Sequence, residues 1–300
     1  MKTIAGIIFL VLIFCNESFA QSPIFLNPNQ SLVALNPSFA GSNGFVRNQL
    51  SFRSFAYGST ALNNSADIFL RPLQGGLALS YTRGDLLGGF IQMNTGNFVY
   101  AQHLSFMEEN LKVVPSVQVT YGYSSSNWWG PAIQPLPQVS TGAYYDSGAG
   151  LLVNYKKDLY LGASVLHLNE PMVFEDRGGW PFSYVLHRTF QFHGAYTFHL
   201  SDRTLLQAFA RHVVQREYRL TQLSANMIIR EHLIAGAGYL SGDVAQVNAG
   251  YRANLFSIVL GYDLSFSKLA GNTSGSWELH ASFNLRNKEN RRSLTGFERF

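Results

Sequence analysis

A chain of 300 residues with net charge +4 is long enough to bury a large core, yet only 13% of its residues are charged. Soluble domains carry roughly 25%, so a surface that meets water on every side is not expected. Hydrophobic residues make up 46%, aromatic residues 14%, and a single cysteine excludes a disulfide-stapled scaffold.

The first segment reads as an export signal. Lys2 supplies the positive charge, "IAGIIFLVLIF" the apolar core, and Ser18-Phe19-Ala20 the small residues before a cut at Gln21. The apolar run falls short of the about 20 residues that a spanning helix needs. Cys15 lies inside it, but Phe14 is bulky where lipidation wants a small residue, so simple cleavage after Ala20 is expected. The mature chain then has no cysteine for a disulfide, a thiolate metal site or a nucleophile. Beyond Gln21 no apolar run approaches the length of a transmembrane helix. Residues 21–43 read as a polar, periplasmic lead-in containing Asn27-Pro28 and Asn36-Pro37.

From residue 44 the chain alternates with a period of two, the mark of strands with one apolar and one polar face. About fourteen segments qualify, each near the 9–11 residues of a tilted membrane strand. The predicted spans are 44–57, 59–70, 75–83, 97–106, 112–125, 143–155, 158–167, 189–200, 203–213, 217–229, 232–240, 244–252, 255–267 and 277–286. "TFQFHGAYTFH" sets Phe190, Phe192, Gly194, Tyr196 and Phe198 against Thr189, Gln191, His193, Ala195, Thr197 and His199. Tyr218 to Ile229 changes phase near Gln222, as a bulge would cause. "FSIVLGYDLSFS" and "WELHASFNLR" alternate cleanly to Arg286.

Connection lengths test the topology independently. Taken alternately, one set is "PLQGG", "MEENL", "KK", "SD", "EH" and "AN". The other holds "GDLLGGFIQMNTG", "SNWWGPAIQPLPQVSTG", "NEPMVFEDRGGWPFSYVLHR" and "LAGNTSGS", beside tight turns near Gly58, Gln215 and Gly242. Every long connection falls in one set, as in outer-membrane barrels with short periplasmic turns and longer outer loops. A soluble sandwich would alternate too, but has no reason to segregate its loops by length. The expected fold is all-β: a transmembrane antiparallel β-barrel of about 14 strands over residues 44–286. A charged tail, residues 287–300, follows.

Catalytic and metal chemistry find little support. His193 and His199 share a strand face but stand roughly 20 Å apart in extended chain, and His167, His187 and His280 could join them only through tertiary geometry. There is no Gly-x-Ser-x-Gly elbow. No enzyme activity, metal or cofactor is expected. Export removes the chain from nucleic acid. The outer loops are richer. Trp128 and Trp129, near Pro131, Pro135 and Pro137, suit either an aromatic girdle or a stiff binding loop. Trp180, Phe182 and Tyr184 stand with Glu170, Glu175, Asp176 and Arg177 in a loop suited to a protein partner or to folding inward as a plug. The tail sets Arg286, Lys288, Arg291, Arg292 and Arg299 against Glu289 and Glu298, either a solvated end or a contact for an acidic periplasmic partner.

"LNPSFAG", with Asn36, Pro37, Phe39, Ala40 and Gly41, resembles the segment that follows the signal peptide in the PorP/SprF outer-membrane proteins of the type IX secretion system. "YYDSGAGLLVNYKKDLYLGASVLHLNEP" resembles the family's Asp-x-Gly-x-Gly strand and the Leu-Gly-x-Ser-x-x-His-x-x-x-Pro that follows. "GYDLSFSKLAGNTSGSWELHASFNL" resembles its last two strands, with Trp277 where a His is frequent. The resemblance implies an outer-membrane protein of the Bacteroidota that serves secretion, cell-surface attachment and, in some members, gliding. It implies partners in an exported protein with a C-terminal sorting domain and in periplasmic or outer-membrane secretion components, with outer-membrane lipid around the barrel. No catalytic residues come with it. The alternatives are a porin or small-hydrophobe transporter, which needs a passable lumen, and an outer-membrane enzyme, which needs a compact nucleophile–base pair.

The loop parity generates a labelling prediction. Cysteines placed at Asn127, Gly178 and Gly271 are expected to react with an impermeant maleimide on intact cells, and one at Asp158 is not; the opposite or a mixed pattern overturns the topology.

Overall fold

The computed structural model describes residues 32–43, 46–55, 58–86, 88–89, 91–108, 110–126, 142–174, 184–242, 244–266 and 275–285. Its strands are β1 (Val46–Ser54), β2 (Thr60–Leu70), β3 (Gly75–Leu86), β4 (Ile91–Gln102), β5 (Leu104–Phe106), β6 (Leu111–Ser126), β7 (Gly142–Tyr155), β8 (Leu159–Leu166), β9 (Met172–Phe174), β10 (Tyr184–Val185), β11 (Thr189–Ser201), β12 (Thr204–Gln215), β13 (Tyr218–Ile229), β14 (Leu233–Leu240), β15 (Val244–Arg252), β16 (Phe256–Ser265) and β17 (Ser276–Leu285). β9 and β10 form a separate hairpin; the other 15 form one antiparallel sheet. Within it β4 and β5 are one wall strand broken at His103, both pairing with β6, which leaves fourteen wall strands. The wall closes where β1 meets β17, from Val46 opposite Leu285 to Ser54 opposite Trp277. Closure gives every wall strand two neighbours.

The connections separate by end. Those between β2 and β3, β5 and β6, β7 and β8, β11 and β12, β13 and β14, and β15 and β16 are four residues or shorter. They define a short-turn end, where β1 begins and β17 stops; the strand ends joined by the longer connections 127–141, 167–188 and 266–275 are at the other.

Burial is inverted relative to a soluble protein. Phe190, Phe192, Tyr196 and Phe198 face outward and are exposed, while Thr189, Gln191, His193, Ala195 and Thr197 face inward and are buried. The same holds on β17, where Trp277, Leu279, Phe283 and Leu285 are exposed against buried Glu278, His280 and Ser282. Leu79 is 62% exposed and Ser51 0%. A water-facing sheet would reverse these values; an apolar outside and a polar inside are what a lipid-embedded barrel requires. The aromatic face of "TFQFHGAYTFH" is the lipid face.

Two sequence expectations are corrected. β13 has no change of phase: its register to β12 runs unbroken from Thr204 opposite Ile229 to Gln215 opposite Tyr218. The alternation blurs because inward Leu220 and Ile228 are apolar, clustering with Val213 and Leu240 and with Leu205, Ile234 and Val259. The irregular register is instead between β11 and β12, at His199 and Ser201. Second, "GDLLGGFIQMNTG" is mainly hairpin, since β3 and β4 pair as far as Leu86 opposite Ile91. Outward Arg83, Asp85, Gln92 and Asn94 are polar, so the hydrophobic alternation ends before the backbone ladder does.

Leu260 is central on the outward face of β16, and Phe256 lies at its short-turn end. Leu260→Arg is expected to destabilise folding in vesicles by about 2–4 kcal/mol, and Phe256→Arg by about 1 kcal/mol or less. Urea titrations of both variants check this; equal stability to wild type would argue against the assigned face.

Candidate functional site

The lumen is filled at its short-turn end by the chain's own residues 32–43. A single helical turn, Leu32–Leu35, leads into a 3-10 turn, Pro37–Phe39. The Asn36 side chain caps that turn, its Oδ1 accepting from the Ser38 N–H at 2.9 Å, and Pro37 supplies the fixed φ that a first helical position favours. Five residues of the expected motif, Asn36, Pro37, Phe39, Ala40 and Gly41, therefore come together in one buried plug. Expected as a polar lead-in, this stretch has an apolar side: Leu32, Val33, Leu35, Phe39 and Ala40 cluster with Ala78, Val99, Ala101, Val114, Leu152, Tyr160 and Phe209 of the wall. Burying such a side chain stabilises by about 1.5–3 kcal/mol each. Phe39 meets Tyr160 edge-on, with ring centroids 5.5 Å apart.

Polar contacts fix the plug's position. Asn36 Nδ2 donates to the carbonyls of Leu151 and Ala163 at 3.2 and 3.1 Å and lies 3.0 Å from His193 Nε2. The Asn36 amide nitrogen has two hydrogens to share among these three acceptors, His193 accepting at Nε2. The Ser38 hydroxyl pairs with that of Ser116 at 2.8 Å, and His103 Nε2 donates to the Ala40 carbonyl at 2.8 Å. The break between β4 and β5 falls at that histidine.

A buried ion pair latches the plug to the wall. Arg47 on β1 holds Asp67 on β2 through Nε–Oδ1 at 2.8 Å and a second nitrogen to Oδ2 at 3.0 Å. The same guanidinium donates to the Phe39 carbonyl and the Ser42 hydroxyl, and Asp67 Oδ2 accepts from the Gly41 N–H at 2.8 Å. Gly41 has φ +69°, and a Cβ there would stand 2.6 Å from the Gly76 Cα; a Cβ on Gly76 would stand 1.9 Å from the Ala40 carbonyl oxygen. Two backbones touch here, and glycine on both sides allows it.

The long-loop end is partly covered by the connection between β8 and β11. Asp146 pairs with His167 Nδ1 at 2.5 Å, and Asn169 Nδ2 donates to the Tyr145 carbonyl at 2.8 Å, so the loop leaves the wall tied to β7. The hairpin β9–β10 then folds inward. Val173 and Leu186 are buried against Met93 and Tyr144, and the Ser124 hydroxyl donates to the Val173 carbonyl at 3.0 Å. Between β10 and β11 the Arg188 N–H holds the Glu170 carboxyl below the usual range.

On the β1, β16 and β17 side of the long-loop end Arg53 and the Ser276 hydroxyl both bond Asp263 Oδ2 at 2.7 Å, and further into the lumen the Ser51 hydroxyl pairs with His280 Nδ1 at 2.7 Å. His193 and His199 do separate work: the first seats the plug inside the barrel, and the second pairs with Asp158 at 2.9 Å on the surface of the short-turn end. Among the described residues no three His, Cys, Asp or Glu side chains are grouped to hold a metal. Of the expected partner-binding residues, Trp128, Trp129, Trp180 and Phe182 lie outside the described residues; Tyr184 opens β10, opposite Phe174. The seat of the plug (Arg47, Asp67, Gly76 and His103) was not singled out from sequence. The available signal was two opposite charges at inward positions of adjacent strands.

A closed wall, polar within and apolar without, defines an outer-membrane β-barrel, here one whose lumen is occupied by its own N-terminal segment. The family model of the type IX secretion system membrane protein PorP/SprF matches residues 18–283, and the chain belongs to that family. No curated protein matches it. Among solved structures, the outer-membrane protein Omp33 of Acinetobacter baumannii is similar with TM-score 0.50 and 10% identity, over 82% of this chain and 100% of that one. A deletion mutant of the monoaromatic hydrocarbon channel TodX is similar with TM-score 0.51 and 9% identity, over 85% and 94%. At such identities the likeness is one of fold. The family is that of a secretion-system membrane protein, and the fold is that of an outer-membrane β-barrel.

Breaking one side of the latch leaves a buried guanidinium without its counter-charge. Asp67→Ala is expected to destabilise the barrel by about 3–5 kcal/mol and to expose residues 32–43 to protease in vesicles. Unchanged stability with the segment still protected would show that the latch does not hold the plug.

Proposed function

We propose that the protein is a closed docking barrel of the type IX secretion system. It assembles with secretion components in the outer membrane and holds or displays an exported partner, one carrying a C-terminal sorting domain, at the cell surface. Gliding is one use such display could serve. The observation that supports this reading is the plug. Residues 32–43 precede β1 in the chain, are buried apart from Ala34, and are bonded to β1, β2, β6, β7, β8 and β11. A porin or a hydrophobe transporter needs a passable lumen, whereas a docking barrel tolerates a filled one. With the expected cleavage after Ala20, residues 21–31 precede the plug in the mature chain, and the basic tail 287–300 is a second candidate contact for a periplasmic component.

The partner is expected on loops 126–142 and 168–188. The second of these is tied down at its base by Asp146–His167 and by Val173 and Leu186, which lowers the entropy cost of binding through this loop. Replacing Trp128, Trp129 and Trp180 together with Ser is expected to leave the heat-modifiable barrel intact while the partner co-purified from the native outer membrane falls. Aromatic anchors are worth about 2 kcal/mol or more each. Unchanged partner per folded barrel removes these loops from the binding site. In planar bilayers with potassium chloride the wild-type barrel is expected to be silent; a steady conductance would favour a pore instead.

A further inference from the structure

The lipid-facing wall is not chemically uniform. On β11 Phe190, Phe192, Tyr196 and Phe198 face outward, and on β16 Ile258, Leu260, Tyr262 and Leu264 are all exposed. Across β1 to β4 the same face carries a seam of hydrogen-bonding side chains. Asn48 lies between outward Val46 and Leu50 on β1, and Asn64 between outward Leu62 and Ala66 on β2. Both are thus bracketed by apolar neighbours along their strands. Asn48 Nδ2 donates to Asn64 Oδ1 at 3.0 Å and to the Ser65 carbonyl at 3.2 Å. Asn64 stands directly opposite Tyr81, whose hydroxyl donates to Asn94 Oδ1 at 2.7 Å. Toward the long-loop end Arg83 and Asp85 continue the seam, paired at 3.2 Å.

These contacts leave half of each carboxamide unused. Among the described residues Asn48 Oδ1, Asn64 Nδ2 and Asn94 Nδ2 have no hydrogen-bond partner, and all three side chains are on the outward face. Lipid tails offer neither donors nor acceptors, so such atoms are costly there unless another protein surface meets them. The chemistry of the seam narrows what that surface is. Arg83 and Asp85 cancel in charge, so nothing in the seam selects a charged partner. A carboxamide supplies both a donor and an acceptor, so the set complements itself. Two copies inserted in the same direction can be related by a two-fold axis along the membrane normal, which brings each seam against its own image.

We propose that the β1–β4 wall is the interface of a symmetric homodimer in the outer membrane, with Asn48 and Asn64 of one copy hydrogen-bonded to those of the second. Apolar Leu50 and Leu79 flank the asparagines and pack beside them.

The test uses the full chain in native outer membranes, with Cys15→Ser as background. A reporter at Ala66→Cys sits opposite Asn48, and one at Leu223→Cys lies on β13, across the barrel. Oxidation is expected to give a homodimer band from Ala66→Cys and little from Leu223→Cys. Adding Asn48→Leu and Asn64→Leu to the Ala66→Cys reporter is expected to lower that band several-fold, while heat-modifiable mobility shows the barrel still folded. Leucine suits a lipid-facing position, so folding should survive. Equal homodimer from both reporters, a band unmoved by the leucines, or cross-linking of Ala66→Cys mainly to a different protein each overturns the proposal.

Discussion

The pairing of β1 with β17 is the constraint on which the rest of this structure depends. In hydrocarbon no water is available to satisfy a free strand edge, so a sheet crosses a bilayer only when its ladder closes. The first and last wall strands meet in unbroken register from Val46–Leu285 to Ser54–Trp277. Once the ladder is closed, the period-two alternation has a single arrangement left: apolar residues to lipid, polar residues to the lumen. Trp277, Phe283 and Leu285 outward and Glu278, His280 and Ser282 inward follow from that closure acting on the alternation.

Closure creates a second requirement. Eight strands enclose about as much space as side chains can fill, and sixteen to eighteen leave a channel; fourteen fall between. Here the excess is filled by the chain itself. The plug meets the wall where the wall has made room, at Gly76 against Ala40 and at Gly150 and Gly162 on either side of Asn36. Arg47 and Asp67 then hold the plug by its backbone at Phe39 and Gly41, the stretch leading directly into β1. The family motif is thereby given a physical role. Asn36, Pro37, Phe39, Ala40 and Gly41 build the plug, while Gly150, Gly162 and Ser164 belong to the strands that cradle it and Asp146 and His167 tie down the loop above. The occupied lumen is the observation behind the proposed docking role, and the family is that of a type IX secretion system membrane protein.

The sequence by itself determined the class of fold, the strand number and the lipid face, because each rests on local information: period-two alternation, connection length and low charge. It placed Phe190, Phe192, Tyr196 and Phe198 toward lipid without a structure. It misread β13, where Leu220 and Ile228 are apolar yet inward, and the β3–β4 hairpin, where Arg83 and Asp85 are polar yet outward. In both places hydrophobicity and facing part company, and only strand register separates them. The plug was decided by tertiary structure alone. Asn36 acts on Leu151, Ala163 and His193, residues more than a hundred positions away, and no period in a single sequence encodes such a contact. The asparagine seam was hidden for the same reason, since Asn48, Asn64, Tyr81 and Asn94 become neighbours only when four strands are laid side by side.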